Sequence, residues 1–177
     1  MIVTLWRKFR RDRRGVSAVE FALIAPLLIM IYFSLAELCQ AMLAERKVAH
    51  AASAVGDLVA QVSTVSASDL TDIYAAAGSV MTPYSTTPLK IRITSVTADA
   101  SDKTTVAWSQ GSGLTGLPTG STVVLPANLL PANQTLIMSE VQYAYTSPLD
   151  YWFKSAVNFD QTYYLRPRVS QSIAYTG

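Results

Sequence analysis

Hydrophobic positions along the 177-residue chain fall into three regimes. From Val16 to Ala36 they are nearly continuous, broken chiefly by Glu20, Pro26 and Ser34. That run matches the roughly 20 residues a helix needs to cross a bilayer. From Glu37 to Val62 the apolar residues thin out to helical spacing. Leu38, Met42, Val48, Val55, Leu58 and Val62 alternate with Glu45, Arg46, Lys47 and Asp57, which predicts an amphipathic stalk. Beyond the stalk the period changes again. Leu70, Ile73, Tyr74 and Ala77 form one helical stripe after a capping Ser66 or Ser68, with Gly78 as a terminator.

The remainder reads as strands. Leu89, Ile91 and Ile93 alternate with Lys90, Arg92 and Thr94, and a polar turn at 99–103 leads into Thr104–Ser109, with Val106 and Trp108 on one face. The two form a hairpin. Residues 109–121, rich in Gly, Ser and Thr, predict a loop. Gln134–Tyr145 reads as a third strand whose phase changes near Ser139 and Glu140, suggesting a bulge. Gln161–Ser170 reads as a fourth, with Tyr163, Leu165 and Val169 on one face and Pro167 assigning it to a sheet edge. The expected fold class is α+β: a long N-terminal transmembrane and stalk helix, then a small head with a mainly antiparallel sheet. The expected boundaries are a leader at 1–15, a membrane helix at 16–36, a stalk at 37–62 and a head at 63–177.

Charge adds direction to this picture. Residues 1–15 carry six basic residues against Asp12, a net of +5, whereas the rest of the chain has eight basic and eleven acidic residues, a net of −3. Short basic segments beside a membrane helix stay in the cytoplasm. The leader is therefore expected there, with the head periplasmic and the helix crossing a bacterial inner membrane once. The basic leader is explained by orientation, and no nucleic-acid partner is expected. A cleaved secretory signal fits poorly, because the apolar run is long and Glu37-Leu38-Cys39-Gln40 is a poor cleavage site. A lipidated Cys39 fits poorly because Leu38 precedes it. A plain signal anchor explains insertion equally well but leaves Gly15 and Glu20 without a role.

Catalytic chemistry finds little support. His50 and Cys39 are the single histidine and cysteine, and neither has companions at triad or metal-ligand spacing. No catalytic residue, metal or cofactor is expected. Gly111-Ser112-Gly113-Leu114-Thr115-Gly116 lacks the Gly-Lys-Ser/Thr ending of a phosphate loop. A C-terminal set of aromatics is expected to serve mainly the core, with Tyr151, Trp152 and Phe153, in a loop after Pro148, as a possible interface.

Glu20 is costly in a membrane segment, about 2.5 to 3.5 kcal/mol near the centre. It lies five residues into the apolar run, about 7 Å deep. If the chain is cut after Gly15, Val16 gains an α-amino group. In a bundle of parallel helices that amine can meet Glu20 of a neighbour and fix axial register.

Gly15-Val16-Ser17-Ala18-Val19-Glu20-Phe21-Ala22-Leu23 resembles the N-terminus of TadE-like proteins, the minor pilins or pseudopilins of the tight-adherence (Tad, type IVb, Flp-like) pilus system. Pro26 and the run at 51–59 are similar to that family too. Weaker likeness continues in 106–109, 141–145 and 166–168. The resemblance implies processing by a prepilin peptidase between Gly15 and Val16, with Glu20 as the fifth mature residue and Phe21 completing the Glu-Phe pair. It also implies pilus biogenesis and surface adhesion as the function. The implied partners are other Tad pilins, inner-membrane platform proteins and the lipid bilayer. Val16 departs from the phenylalanine with which many mature pilins begin. The alternative is an uncleaved single-pass anchor whose periplasmic head binds another envelope or pilus protein.

Overall fold

The computed structural model describes residues 14–148 and 155–177. One helix, α1 (Arg14–Ala60), carries both the apolar run and the stalk without interruption. It passes through Pro26, which has no N–H to give the preceding turn. Strand β1 (Thr64–Val65) and helix α2 (Ala67–Val80) follow. Ser66 caps α2 in a capping box, its hydroxyl accepting from the Asp69 N–H at 3.2 Å while the Asp69 carboxylate accepts from the Ser66 N–H at 2.8 Å. The Ser66 N–H, and after it the Ser66 hydroxyl donating to the same carboxylate at 2.7 Å, hold the Asp69 carboxyl below its usual range. The helix runs past the expected stop at Gly78 to Val80, because a single glycine lowers helix propensity by only about 1 kcal/mol.

The head sheet contains β2 (Leu89–Ala98), β3 (Thr104–Ser112), β4 (Thr135–Tyr145) and β5 (Val157–Leu165) in the spatial order β3-β2-β4-β5. Every neighbouring pair is antiparallel. A short strand β6 (Ala174–Tyr175) returns to pair in parallel with β1. The expected α+β architecture, a long apolar helix followed by an antiparallel sheet, is the one observed.

Several details differ from the sequence reading. The bulge lies in the β2–β3 ladder, where the register shifts between Ser95 and Val96, and β2–β4 pairing is continuous past Ser139. Trp108 pairs with Ser95 and Val106 with Val96, so the extra residue, Ala107, sends Val106 and Trp108 to opposite faces. The phase change in β4 has another cause. Ile137, Val141, Tyr143 and Tyr145 belong to the core under α1, while Leu136 packs with Val96, Ala98 and Leu130 on the reverse face. Both faces are covered there, so alternation fails. Strand β3 extends to Ser112, three residues past its expected end at Ser109, and Gly113 turns the chain at φ 75°. The fourth strand begins at Val157 and ends at Leu165, before Pro167, so Val169 lies outside it. It is an edge strand, as Pro167 suggested.

Of the apolar stalk positions expected to face inward, Val48 and Val55 do so and the other four do not. Ala41, Ala44, Val48, Ala51, Ala52, Val55, Val59 and Ala60 are buried, whereas Leu38, Met42, Leu58 and Val62 are 38–48% exposed. Small residues face the sheet because helix and sheet approach closely. A Cβ placed on Gly56 would collide with Leu165 and sit 3.3 Å from Ser139 Cβ. On the reverse face, Arg92 and Glu140 form a two-pronged ion pair at 2.7 Å per contact, and Arg92 also donates to the Thr115 carbonyl at 3.2 Å. Glu140 holds the Arg92 guanidinium protonated more firmly than usual.

Candidate functional site

The N-terminal part of α1 stands clear of the head. None of its most apolar window is buried against the rest of the chain. Val16, Phe21, Leu23 and Leu27 are more than half exposed. An isolated helix with apolar residues all round is a membrane span or the core of a larger assembly. Gly15 lies in the first turn with no neighbouring side chain within 4 Å of where a Cβ would stand. Glu20 and Phe21 are exposed one turn and more beyond it. The structure thus presents Gly15, Val16, Glu20 and Phe21 along one free helical end. Residues 1–13 of the leader lie outside the described residues, as do Tyr151, Trp152 and Phe153 with their expected interface.

A second region, missed by the sequence reading, joins the apolar part of α1, long enough to cross a membrane, to the head. Glu37, immediately after the apolar run, is fully buried. One turn on, Tyr84 donates to the Gln40 carbonyl at 3.1 Å and its hydroxyl lies 3.2 Å from the Gln40 side-chain oxygen. Tyr143 donates to the Ser85 carbonyl at 3.0 Å. Tyr84 and Phe159 both pack on Tyr145, with ring centroids 6.1 and 6.0 Å away. Burial raises the phenol pKa of Tyr84, Tyr143 and Tyr145, and for Tyr145 the Tyr84 and Glu37 charges add to the rise while a Ser147 hydrogen bond opposes it. A buried glutamate next to an apolar span gave no signal in the pattern, since Glu37 also suits a solvated stalk.

The remaining candidates are dispersed. Cys39 is exposed and His50 lies on the exposed side of the stalk. Among the described residues no group of three His, Cys, Asp or Glu side chains could hold a metal ion. A cleft of about 680 Å³ opens between Asp102–Thr104 and the 122–132 segment, and no chemistry-bearing cluster lines it. Gly111–Gly116 belongs to the end of β3 and the turn after it.

An exposed apolar helix that enters an α+β head without a linker defines a head carried on a long helix whose free part is apolar enough to cross a membrane. The model of the TadE-like protein family matches residues 15–57, most of α1, and the head lies beyond the match. Residues 15–57 are therefore a TadE-like segment, which suggests a Tad pilus-associated protein. No curated protein and no solved structure matches the chain.

Proposed function

We propose that this protein is a minor pilin or pseudopilin of a Tad-type pilus assembly and secretion machine, acting in pilus biogenesis and surface adhesion without catalysis of its own. The observation that carries the reading is the free end of α1, where Gly15, Val16, Glu20 and Phe21 stand exposed on a helix with the TadE-like pattern. A prepilin peptidase cuts between Gly15 and Val16 from the cytoplasmic side. The released Val16 amine pairs with Glu20 of a neighbouring subunit, cancelling two charges in apolar surroundings and setting register.

A further observation supports packing by other pilins or platform proteins. Leu35, Leu38, Met42 and Leu43 are 47–56% exposed, around the point where α1 leaves the apolar span. Contiguous apolar surface of this kind marks an interaction site. The uncleaved single-pass anchor is the alternative reading, with the same inner-membrane placement and a periplasmic head.

Intact-mass measurement of the protein from cells making pili separates the two. The pilin reading expects a mature chain beginning at Val16. Retention of residues 1–15 in such cells favours the anchor.

A further inference from the structure

We propose that the loop Thr82–Pro88 rests on the outer leaflet of the bilayer that α1 crosses, so that the head is seated on the lipid surface. The inference rests on the reading of α1 as a membrane span. The apolar run ends at Ala36, and Gln40 stands four residues, about 6 Å, beyond it. Tyr84 is fixed to Gln40 by the 3.1 Å bond to its carbonyl, and Tyr143 holds the next residue, Ser85, through its carbonyl. The loop is thus tied at headgroup height by two hydrogen bonds. Glu37, the residue that follows the span, is already fully buried, so no free stretch of stalk lifts the head away from the membrane.

The chemistry of the loop suits a lipid surface. Thr82-Pro83-Tyr84-Ser85-Thr86-Thr87-Pro88 contains no charge, so no ion has to be stripped of water where the dielectric falls. Ser85, Thr86 and Thr87 are exposed; Ser85 donates to the Thr87 hydroxyl oxygen at 3.2 Å, and the Thr86 and Thr87 hydroxyls offer donors to phosphate and ester oxygens. Tyr84 is half-buried at the same level, and tyrosine is enriched where one end of a side chain is apolar and the other wet. Without charge in the loop, seating does not depend on anionic lipid.

The test uses full-length protein with Cys39→Ala, reconstituted in zwitterionic vesicles and labelled with one fluorophore at Thr86→Cys, Leu28→Cys or Val169→Cys. Val169 is 67% exposed beside Arg168, whose N–H donates to the Ala60 carbonyl at the far end of α1. That end is about 36 Å beyond Ala36. Quenchers are carried on headgroups or on acyl chains. The proposal expects several-fold stronger headgroup quenching at Thr86 than at Val169, unchanged when anionic lipid is added or salt raised. A Thr87→Cys label should repeat the result if Thr86→Cys perturbs the loop. Quenching at both loop sites as weak as at Val169, with Leu28 quenched by the acyl-chain probe, overturns the seating and leaves the span intact. Loop quenching that appears only with anionic lipid also overturns it. A Leu28 label untouched by the acyl-chain probe overturns the span and the seating together.

Discussion

The indole N–H of Trp108 donates to the carbonyl of Ile173 at 2.7 Å, joining β3 to the C-terminal tail across 65 residues of sequence. Trp108 and Tyr175 also lie with ring centroids 5.8 Å apart. The tail then pairs, through β6, with β1, the short strand that follows the stalk. Trp108 thereby connects the sheet to the segment that closes over the top of α1. Trp108→Phe keeps an aromatic ring but leaves the Ile173 carbonyl without its donor. Loss of a buried partner of this kind costs about 1–3 kcal/mol. The expected result is a lower unfolding midpoint in detergent, and faster proteolysis of the tail than in the wild type.

Gly56 sets the spacing between stalk and sheet. Gly56→Val should push α1 off Leu165 and Ser139, the contacts that leave no room for a Cβ. Overpacking at such a site costs about 1–3 kcal/mol. Adding Leu165→Ala should recover part of that loss, because it removes the atoms that collide. Thermal unfolding of the single and double variants checks this, and strict additivity contradicts it.

The stalk supplies a large share of the head core, from Ala44 through Val59. A protein beginning at residue 63 should therefore unfold at lower denaturant and less cooperatively than one beginning at residue 41, since an uncovered sheet face is left in water. Equal midpoints and equal slopes for the two would contradict the role given to the stalk.

Tyr74 links stability to alkaline pH. Its buried hydroxyl has no hydrogen-bond partner among the described residues, and burial, with Tyr175 beside it, pushes the pKa from 10.0 up to about 12. The folded protein thus favours the neutral phenol. The resulting stability is fully present below pH 10 and is lost as pH rises through about 12. Tyr74→Phe should match or exceed the wild type near neutral pH, since it removes an unpaired polar group. It should also lose less stability than the wild type between about pH 8 and about pH 11. Chemical denaturation at the two pH values gives the comparison.

Glu20 tests the assembly mechanism. Glu20→Ala should insert normally, because removing a charge eases insertion, and should still be processed after Gly15. Pilus assembly should fail, since the Val16 amine of the neighbour loses a partner worth about 3–5 kcal/mol when buried. Glu20→Gln should fall between the two. Counting surface pili at native expression reads the outcome; full piliation by Glu20→Ala would mean the acid is incidental.

The elements with strong local signals were legible in the sequence. The continuous apolar run, the Ser66 cap and the alternation of Leu89, Ile91 and Ile93 each depend on neighbours a few residues away, and each places its element correctly. What escaped depends on partners distant in the chain. The stalk's buried face could not be read from hydrophobicity alone, because close approach to the sheet favours alanine and valine over leucine and methionine. The reverse face of β4 is covered by Leu130 and its neighbours, so Leu136 looks out of phase until that cover is known. Glu37 and Tyr84 reveal a junction only when Gln40 is brought beside residues more than forty positions away. The proposal for Gly15 and Glu20 rests on their spacing along one helix, a local pattern that the sequence carries by itself.

Since α1 is one uninterrupted helix from Arg14 to Ala60, and the head is clamped to it, the protein behaves as a screw with its head fixed to the shaft. A helix climbs about 1.5 Å and turns about 100° with each residue. If neighbours read the thread of side chains on the shaft, advancing a subunit by one residue step also swings its head through more than a quarter turn. The bearing of each head around the bundle axis would then report how far its shaft had been driven, and a subunit seated one step out of place would face the wrong way.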